Sequence, residues 1–468
     1  MTISSSLRPI LDRKEWEMMT PCPTTNGDGM FTITDPTGED KGLMYICSTS
    51  IIYRYDHLQD GWQALPSSGV AGTFAIGSCG TFHHMGPTGN ATAGTTTTLT
   101  TNLTVNRNMS GYTVRITAGP NAGLNRVIAS NTIGTNSVFT LTEAYPVAIT
   151  TASTYQFMTG RYWFFNAGTT AVGLACYDRM LNTWTQRSVT GLPTAWGTDG
   201  RLVSTCTGSG TKFAEGTSTG GNTSTTLTNT SKTWTVNSWT NYQVRISVGT
   251  GAGQVRTISS NTATTLTVST AWTITPDATS QYIIDGNEDT LYLLGNNAVT
   301  MYKYIISTNT WSTVTPAVAR GGAFGSGGGA NWVFNVTGWS DENDILNGSR
   351  IYSFRGAGST ALDYYNITDN KWYSLTYVPQ ADTFTTGSSY DYDDDCIMIQ
   401  KEATGRFFRY KILENRLVPF STLVYPESTA RNGDKLWTKL YTDENTSIKW
   451  LYKLRSSGNE LFRCMMID

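Results

Sequence analysis

Three histidines, three acidic stretches, seven cysteines and one glycine-dense loop are the candidates for catalysis or ligand binding in this chain. The histidines are His57, His83 and His84. Adjacent residues on an extended strand point to opposite faces, so His83 and His84 are poorly placed to share a metal, and with His57 in the first hairpin turn no fourth imidazole exists to complete a site. The acidic stretches are Asp285–Asp289, Ser340–Asp344 and Tyr390–Asp395. Glycoside hydrolysis needs two carboxylates converging on one bond, and calcium needs oxygen ligands at regular spacing. Tyr390–Asp395 could gather calcium ligands, but no EF-hand pattern is present. Each stretch precedes an apolar run, where acids are commonly solvated loop residues. Arg320–Gly329, "RGGAFGSGGG", lacks the Lys-Ser/Thr of a phosphate loop and reads as a flexible connection. HExxH is absent as well. Cys22, Cys47, Cys79, Cys176, Cys206, Cys396 and Cys464 are scattered, odd in number and free of CxxC pairs, which predicts buried free thiols. No catalytic, cofactor-binding or metal-ligating residue is assigned, and the expectation is a protein that is not an enzyme and carries no cofactor.

Elements that would position such residues are β. Of the 468 residues, 39% are hydrophobic and 12% aromatic, but only 15% are charged, against about 25% in an ordinary soluble domain. Thr, Ser, Asn and Gly supply the polarity, which favours strands and turns over helices. The net charge of −2 comes without a Lys/Arg stripe, so direct nucleic-acid binding is not expected. No apolar run is long enough to span a membrane, and the first residues carry no apolar signal-peptide core.

An eight-residue hairpin recurs. "YDHLQDGW" starts at Tyr55, "YDRMLNTW" at Tyr177, "YIISTNTW" at Tyr304 and "YNITDNKW" at Tyr365. Their tryptophans are Trp62, Trp184, Trp311 and Trp372. An aromatic-rich run precedes each Tyr, and a Pro follows each Trp: Pro66, Pro193, Pro316 and Pro379. Asn, Asp and Gly between Tyr and Trp are turn chemistry, and cross-strand aromatics pack well between neighbouring sheets. A fifth copy, "YKILENRL", puts Leu417 in the Trp place. A sixth, around "LYKLRSSGNELF", pairs Leu454 with Leu461. A small sheet cannot bury both faces alone, whereas six around an axis can. The expected fold is all-β: a six-bladed β-propeller.

The hairpin spacing is uneven, and a duplication explains it. "YTVRITAGPNAGLNRVIASNT" from Tyr112 and "YQVRISVGTGAGQVRTISSNT" from Tyr242 match at an offset of 130 residues. The matches pair Arg115 with Arg245, Arg126 with Arg256 and Asn131 with Asn261; after a short gap Tyr145 matches Trp272. Two small β modules therefore interrupt equivalent loops of consecutive blades, an insertion whose loop-closure cost rises only logarithmically with length. The expected domains are an arm at 1–29, the propeller at 30–87, 159–215 and 285–468, and modules at 88–158 and 216–284. The paired arginines are read either as hydrogen-bonded within their modules or as polar anchors for a partner.

The duplicated module, with "VRI", "GTGAGQ", "SNT", "LTV" and the "PDATSQYII" ending, resembles a small β module of tailed-bacteriophage structural proteins. The propeller resembles those of podovirus-type tail hubs and nozzles. These resemblances imply a structural virion protein of the tail or neck, made in the host cytoplasm and found in the virion. They also imply docking on neighbouring virion proteins as a symmetric oligomer. The alternative is a receptor- or glycan-binding propeller on the virion surface, for which exposed Trp196 or Trp339 would supply the aromatic platform.

Overall fold

Runs such as Tyr162-Trp-Phe-Phe and Leu291-Tyr-Leu-Leu carry apolar residues at every position rather than every second one, because both faces of their strands are covered. In the computed structural model the described residues are 16–23, 32–34, 43–48, 51–56, 59–65, 74, 77–83, 85–121, 124–168, 170–196, 200–204, 212–240, 242–285, 290–306, 308–325, 329–334, 349–356, 359–367, 370–375, 384–391, 396–401, 407–412, 414–420, 435–442, 447–454 and 459–465. Among them there is no helix, so none is long and apolar enough to cross a membrane.

In chain order, β1 is Trp16–Met19, and β2 (Thr32–Thr34), β3 (Leu43–Ser48), β4 (Ile51–Asp56) and β5 (Gly61–Ala64) form the first four-stranded sheet. β6 (Cys79–His83) begins the second sheet. Seven strands intervene: β7 (Thr88–Asn90), β8 (Ala93–Gly94), β9 (Thr98–Thr100), β10 (Thr113–Ala118), β11 (Asn125–Asn131), β12 (Val138–Leu141) and β13 (Thr154–Met158). The second sheet then resumes with β14 (Arg161–Asn166), β15 (Gly173–Asp178) and β16 (Thr183–Arg187). β17 (Gly200–Ser204) begins the third sheet. Six strands intervene: β18 (Lys212–Thr217), β19 (Thr226–Thr228), β20 (Gln243–Val248), β21 (Val255–Asn261), β22 (Thr265–Val268) and β23 (Gln281–Asp285). β24 (Thr290–Gly295), β25 (Met301–Ile305) and β26 (Thr310–Val314) complete the third sheet. The fourth is β27 (Gly329–Phe334), β28 (Ser349–Gly356), β29 (Ser359–Asn366) and β30 (Lys371–Ser374). The fifth is β31 (Phe384–Asp391), β32 (Cys396–Lys401), β33 (Phe407–Lys411) and β34 (Arg416–Phe420). β35 (Lys435–Thr442), β36 (Ser447–Leu454) and β37 (Leu461–Met465) form the sixth together with β1, in the order β1-β37-β36-β35.

The recurring hairpin joins the third and fourth strands of a sheet. Tyr55 pairs with Trp62, Tyr177 with Trp184, Tyr304 with Trp311, Tyr365 with Trp372 and Tyr410 with Leu417. Five residues after each Tyr stands an Asp or Asn in the left-handed region: Asp60 (φ 45°), Asn182 (55°), Asn309 (56°), Asn370 (57°) and Asn415 (46°). Asn and Asp tolerate that region through local hydrogen bonding. Here each side-chain oxygen accepts from the preceding Tyr hydroxyl at 2.6–2.7 Å. The Tyr ring packs on the Trp ring with centroids 4.8–5.4 Å apart in the four copies that have both. Tyr, left-handed Asx and Trp thus form one unit that closes the turn.

The sixth copy departs from the sequence expectation. Leu454 and Leu461 do pair, but across β36 and β37, the second and third strands of their sheet. The third-to-fourth pairing runs between β37 and β1, where Cys464 opposes Trp16 in the places of Tyr and Trp. Residues 16–19, read as part of an arm, are therefore the outer strand of the last sheet. Their alternation explains the pairing: the Trp16 ring lies 5.2 Å from that of Phe407, and Met19 is buried beside Tyr55 and Leu461. Arg463 Nε donates to Glu17 on the exposed face at 2.7 Å.

Six apolar cores lie between consecutive sheets. Ile52 of the first sheet packs with Phe82, Tyr162 and Tyr177 of the second. Trp163 and Phe165 meet Leu291, Tyr304 and Trp311 of the third. Tyr292 and Met301 meet Ile351, Tyr365 and Trp372 of the fourth. Tyr352 and Leu362 meet Ile397 and Tyr410 of the fifth. Met398 and Phe407 meet Leu451 and Phe462 of the sixth. Tyr452 and Leu461 return to Tyr55 and Trp62 of the first. The first strands follow the same cyclic order: β2, β6, β17, β27, β31 and β35 each touch the next, and β35 touches β2.

The intervening strands form two further sheets, ordered β7-β13-β10-β11-β12-β9-β8 and β18-β23-β20-β21-β22-β19. Their registers agree at the offset seen in the sequence. Val114 opposes Arg126 as Val244 opposes Arg256, and β-bulges fall at Ile116/Ala118 and at Ile246/Val248. Each sheet wraps its own core, one around Phe139, Tyr155 and Phe157, the other around Trp234, Trp239 and Tyr282.

Candidate functional site

The residues singled out for chemistry are dispersed. His83 is fully buried on β6, and its Nδ1 accepts from the Met85 amide at 3.2 Å. His57, His84, Ser340–Asp344, Trp339 and residues 286–289 and 392–395 lie outside the described residues. Among the described residues no group of three His, Cys, Asp or Glu comes together as a metal site. Cys22, Cys79, Cys176, Cys396 and Cys464 are buried and unbridged, and burial pushes the Cys176 thiol up. Trp196, expected as an exposed platform, is only 1% exposed: its ring packs edge-on against Phe165 and Tyr302.

Hairpin turns hold the preceding sheet. Trp311 Nε1 donates to the Ser188 carbonyl, and Asn309 Oδ1 accepts from the Ser188 amide, both at 2.9 Å. Ser188 directly follows β16. Trp62 Nε1 donates to the Thr20 carbonyl at 2.8 Å, and Asp60 accepts from the Thr20 amide at 2.9 Å; Thr20 directly follows β1. Asn370 Nδ2 donates to the Thr315 carbonyl, which directly follows β26. One latch therefore recurs, in which the turn's Asx, and in two cases its Trp, clasps the residue leaving the neighbouring outer strand. The Tyr, Asx and Trp side chains are engaged in this packing.

The glycine-dense loop is anchored, against expectation, at its first residues. Arg320 is buried, with Nε 3.0 Å from Asp363 Oδ2 and Nη2 2.8 Å from Ser353 Oγ. Its guanidinium lies over the Trp372 ring at 4.9 Å. Arg355 binds the same carboxylate with two nitrogens, at 2.7 and 2.8 Å, and Ser374 donates to it at 2.9 Å. Gly321 and Gly322 leave room for Arg355: a Cβ on either would stand 2.7–2.8 Å from its guanidinium nitrogens. Burial alone would raise the Asp363 carboxyl, but the hydrogen bonds from Arg355, Ser374 and Arg320 and the Arg320 charge outweigh it and hold it below the usual carboxylate range.

Of the twin arginines, Arg126 and Arg256 are satisfied inside their modules. Arg126 Nε and Nη2 donate to the Ala144 carbonyl and Nη1 to that of Asn125; its guanidinium covers Tyr145 at 4.9 Å. Arg256 repeats this with the carbonyls of Ala271 and Val255 over Trp272 at 5.6 Å. Arg115 Nε donates to Asn125 Oδ1. Arg245 is buried. Asn131 and Asn261 each accept from the backbone of Met109 or Trp239 and donate to two carbonyls.

The first module is seated on the β15–β16 turn of its own sheet. Asp178 Oδ1 accepts from the amides of Met180 and Leu181, and Arg161 holds its other oxygen at 2.9 Å. The shaped turn sends Met180 and Leu181 into the module core. Arg179 lies over the Tyr112 ring at 5.0 Å and donates to its hydroxyl, and Arg107 donates to the Arg179 carbonyl at 3.3 Å. In the antiparallel second sheet the β6–β14 and β15–β16 connections leave at the same end, which brings insertion and turn together.

No protein-family model matches the chain, and no curated protein matches it. A solved structure described as "Crystal Structure of Mitotic Checkpoint Complex" is similar over 97% of this chain and 95% of that one, at 8% identity and a TM-score of 0.38.

Proposed function

We propose that the six four-stranded sheets are blades of one β-propeller and that 88–158 and 216–284 are modules inserted between the first and second strands of consecutive blades. In this reading the chain is a non-enzymatic structural component of a tailed-phage virion. It sits in the tail or neck as a hub, nozzle or adaptor and docks on neighbouring virion proteins as a symmetric oligomer. One observation carries the reading: six cores in cyclic order occupy the faces of the sheets, and the hairpin turns of three sheets are taken up in latches. Ring closure does not need the twin modules, which leaves them as the contact-making part. The burial of Trp196 removes one of the two residues that favoured the glycan-binding alternative.

The test is an image of phage particles assembled with a chain carrying an electron-dense label. Density at the tail or neck in every particle is expected. Particles of normal form without the label overturn the reading.

A further inference from the structure

Val147 is 55% exposed and Ile274 56%. Single exposed aliphatics are ordinary, but these two stand at the same place in the twin modules, two residues after the matched Tyr145 and Trp272. Both follow a buried ring capped by the matched arginine. Both have their backbone pinned by a side-chain amide. Asn121 donates to the Val147 carbonyl at 2.7 Å and accepts from its amide at 3.1 Å. Gln254 does the same for Ile274, at 2.7 and 3.1 Å. The two amides are not counterparts: Gly251 stands where Asn121 would be, and Leu124 where Gln254 would be. The same rigid presentation of an exposed aliphatic side chain is reached by different residues. Gly119 and Gly249, at φ 79° and 83°, fold the adjoining turns against Ala152 and Thr279, where a Cβ would strike a carbonyl. Each module also carries both signs near this segment, Arg126 and exposed Glu143 in the first and Arg256 and exposed Asp277 in the second, although the two acids are not counterparts.

We propose that the two tips are the halves of one contact between copies of this chain, module 1 of one copy meeting module 2 of the next. An isologous contact needs one patch to meet itself. A chain that carries related patches twice can pair its first with its neighbour's second, and such a head-to-tail contact extends around a closed ring. The occupant is a second copy because each tip offers an aliphatic knob, a cation and an anion, so the tips complement each other in charge when opposed. The inference rests on the symmetric-oligomer part of the proposed function and names the surface involved.

The test is sedimentation of the full chain across a concentration series, with V147D, I274D and their equimolar mixture. The intact chain should associate and each variant alone should be monomeric. The mixture should stop at dimers, because the intact second tip of V147D meets the intact first tip of I274D. Thermal melts check folding, and V147S with I274S replaces any aspartate variant that melts early. A monomeric intact chain overturns the proposal. So does association of I274D with loss in V147D, since module 1 then pairs with itself, or unchanged association of both, since another surface then makes the contact. The labelled-particle image separates this from the broader reading: label present with a monomeric chain refutes the tips alone, and an associating chain absent from particles refutes the virion reading alone.

Discussion

Asp363→Ala should lower the unfolding free energy by about 3–5 kcal/mol, the cost of leaving a buried cation without its partner. Arg320 and Asp363 side chains are each 1% exposed, and Arg320 reaches water only by dismantling its packing on Trp372 and Phe324. The repeat shows how unusual the position is. Two residues before the hairpin Tyr, the other copies carry Tyr53, Ala175, Tyr302 and Phe408. Replacing both partners, R320M with D363F, should therefore recover most of the loss, since apolar substitution of a buried pair is often neutral or stabilising. Arg355, 18% exposed, can turn to solvent. The pH dependence follows from the depressed Asp363 carboxyl. Its contribution is fully present above the ordinary carboxylate range and is lost as pH falls through the lower folded value. Urea melts at neutral and falling pH should show a steeper acid loss for the intact chain than for the double variant. Equal stability of D363A and the intact chain at neutral pH would refute the anchoring role.

Trp311→Ala should cost about 3–5 kcal/mol, the range for truncating a buried large aromatic. It is 6% exposed, packs on Tyr304 at 5.0 Å and clasps Ser188 of the preceding sheet. Trp311→Phe keeps most of the packing and should lose chiefly the hydrogen bond, about 0.5–1.5 kcal/mol. Trp62→Ala should cost less than Trp311→Ala because Trp62 is half-buried. Urea midpoints rank the three. A Trp311→Ala midpoint no lower than that of Trp62→Ala contradicts a latch strengthened by burial.

The hairpins and the duplication were legible because they are local. Tyr, Asx and Trp sit within eight residues, and the modules repeat residue for residue. The sixth hairpin was not, because its halves lie at opposite ends of the chain. Trp16 followed by Pro21 matches Trp311 followed by Pro316, but nothing local pairs it with Cys464. The bond from each Tyr hydroxyl to the Asx five residues on was written in the repeat, yet the turn reads from sequence only as polar. Trp196 looked exposed because it stands among Gly, Thr and Pro; a distant ring from the third sheet covers it. Arg320 looked mobile because glycines follow it, whereas its partner is a carboxylate more than forty positions away. The matched Val147 and Ile274 were visible as residues, but their exposure and pinned backbone exist only in the folded modules.

In the proposed function the ring closes on its own residues and the modules make the contacts. The most direct measurement is the occupancy in assembled particles of a chain whose residues 88–158 and 216–284 are each replaced by a short linker, with a cooperative thermal melt confirming that it folds. A folded chain absent from particles is the predicted result. A folded chain present at the occupancy of the intact protein would contradict the account and place the interface on the ring.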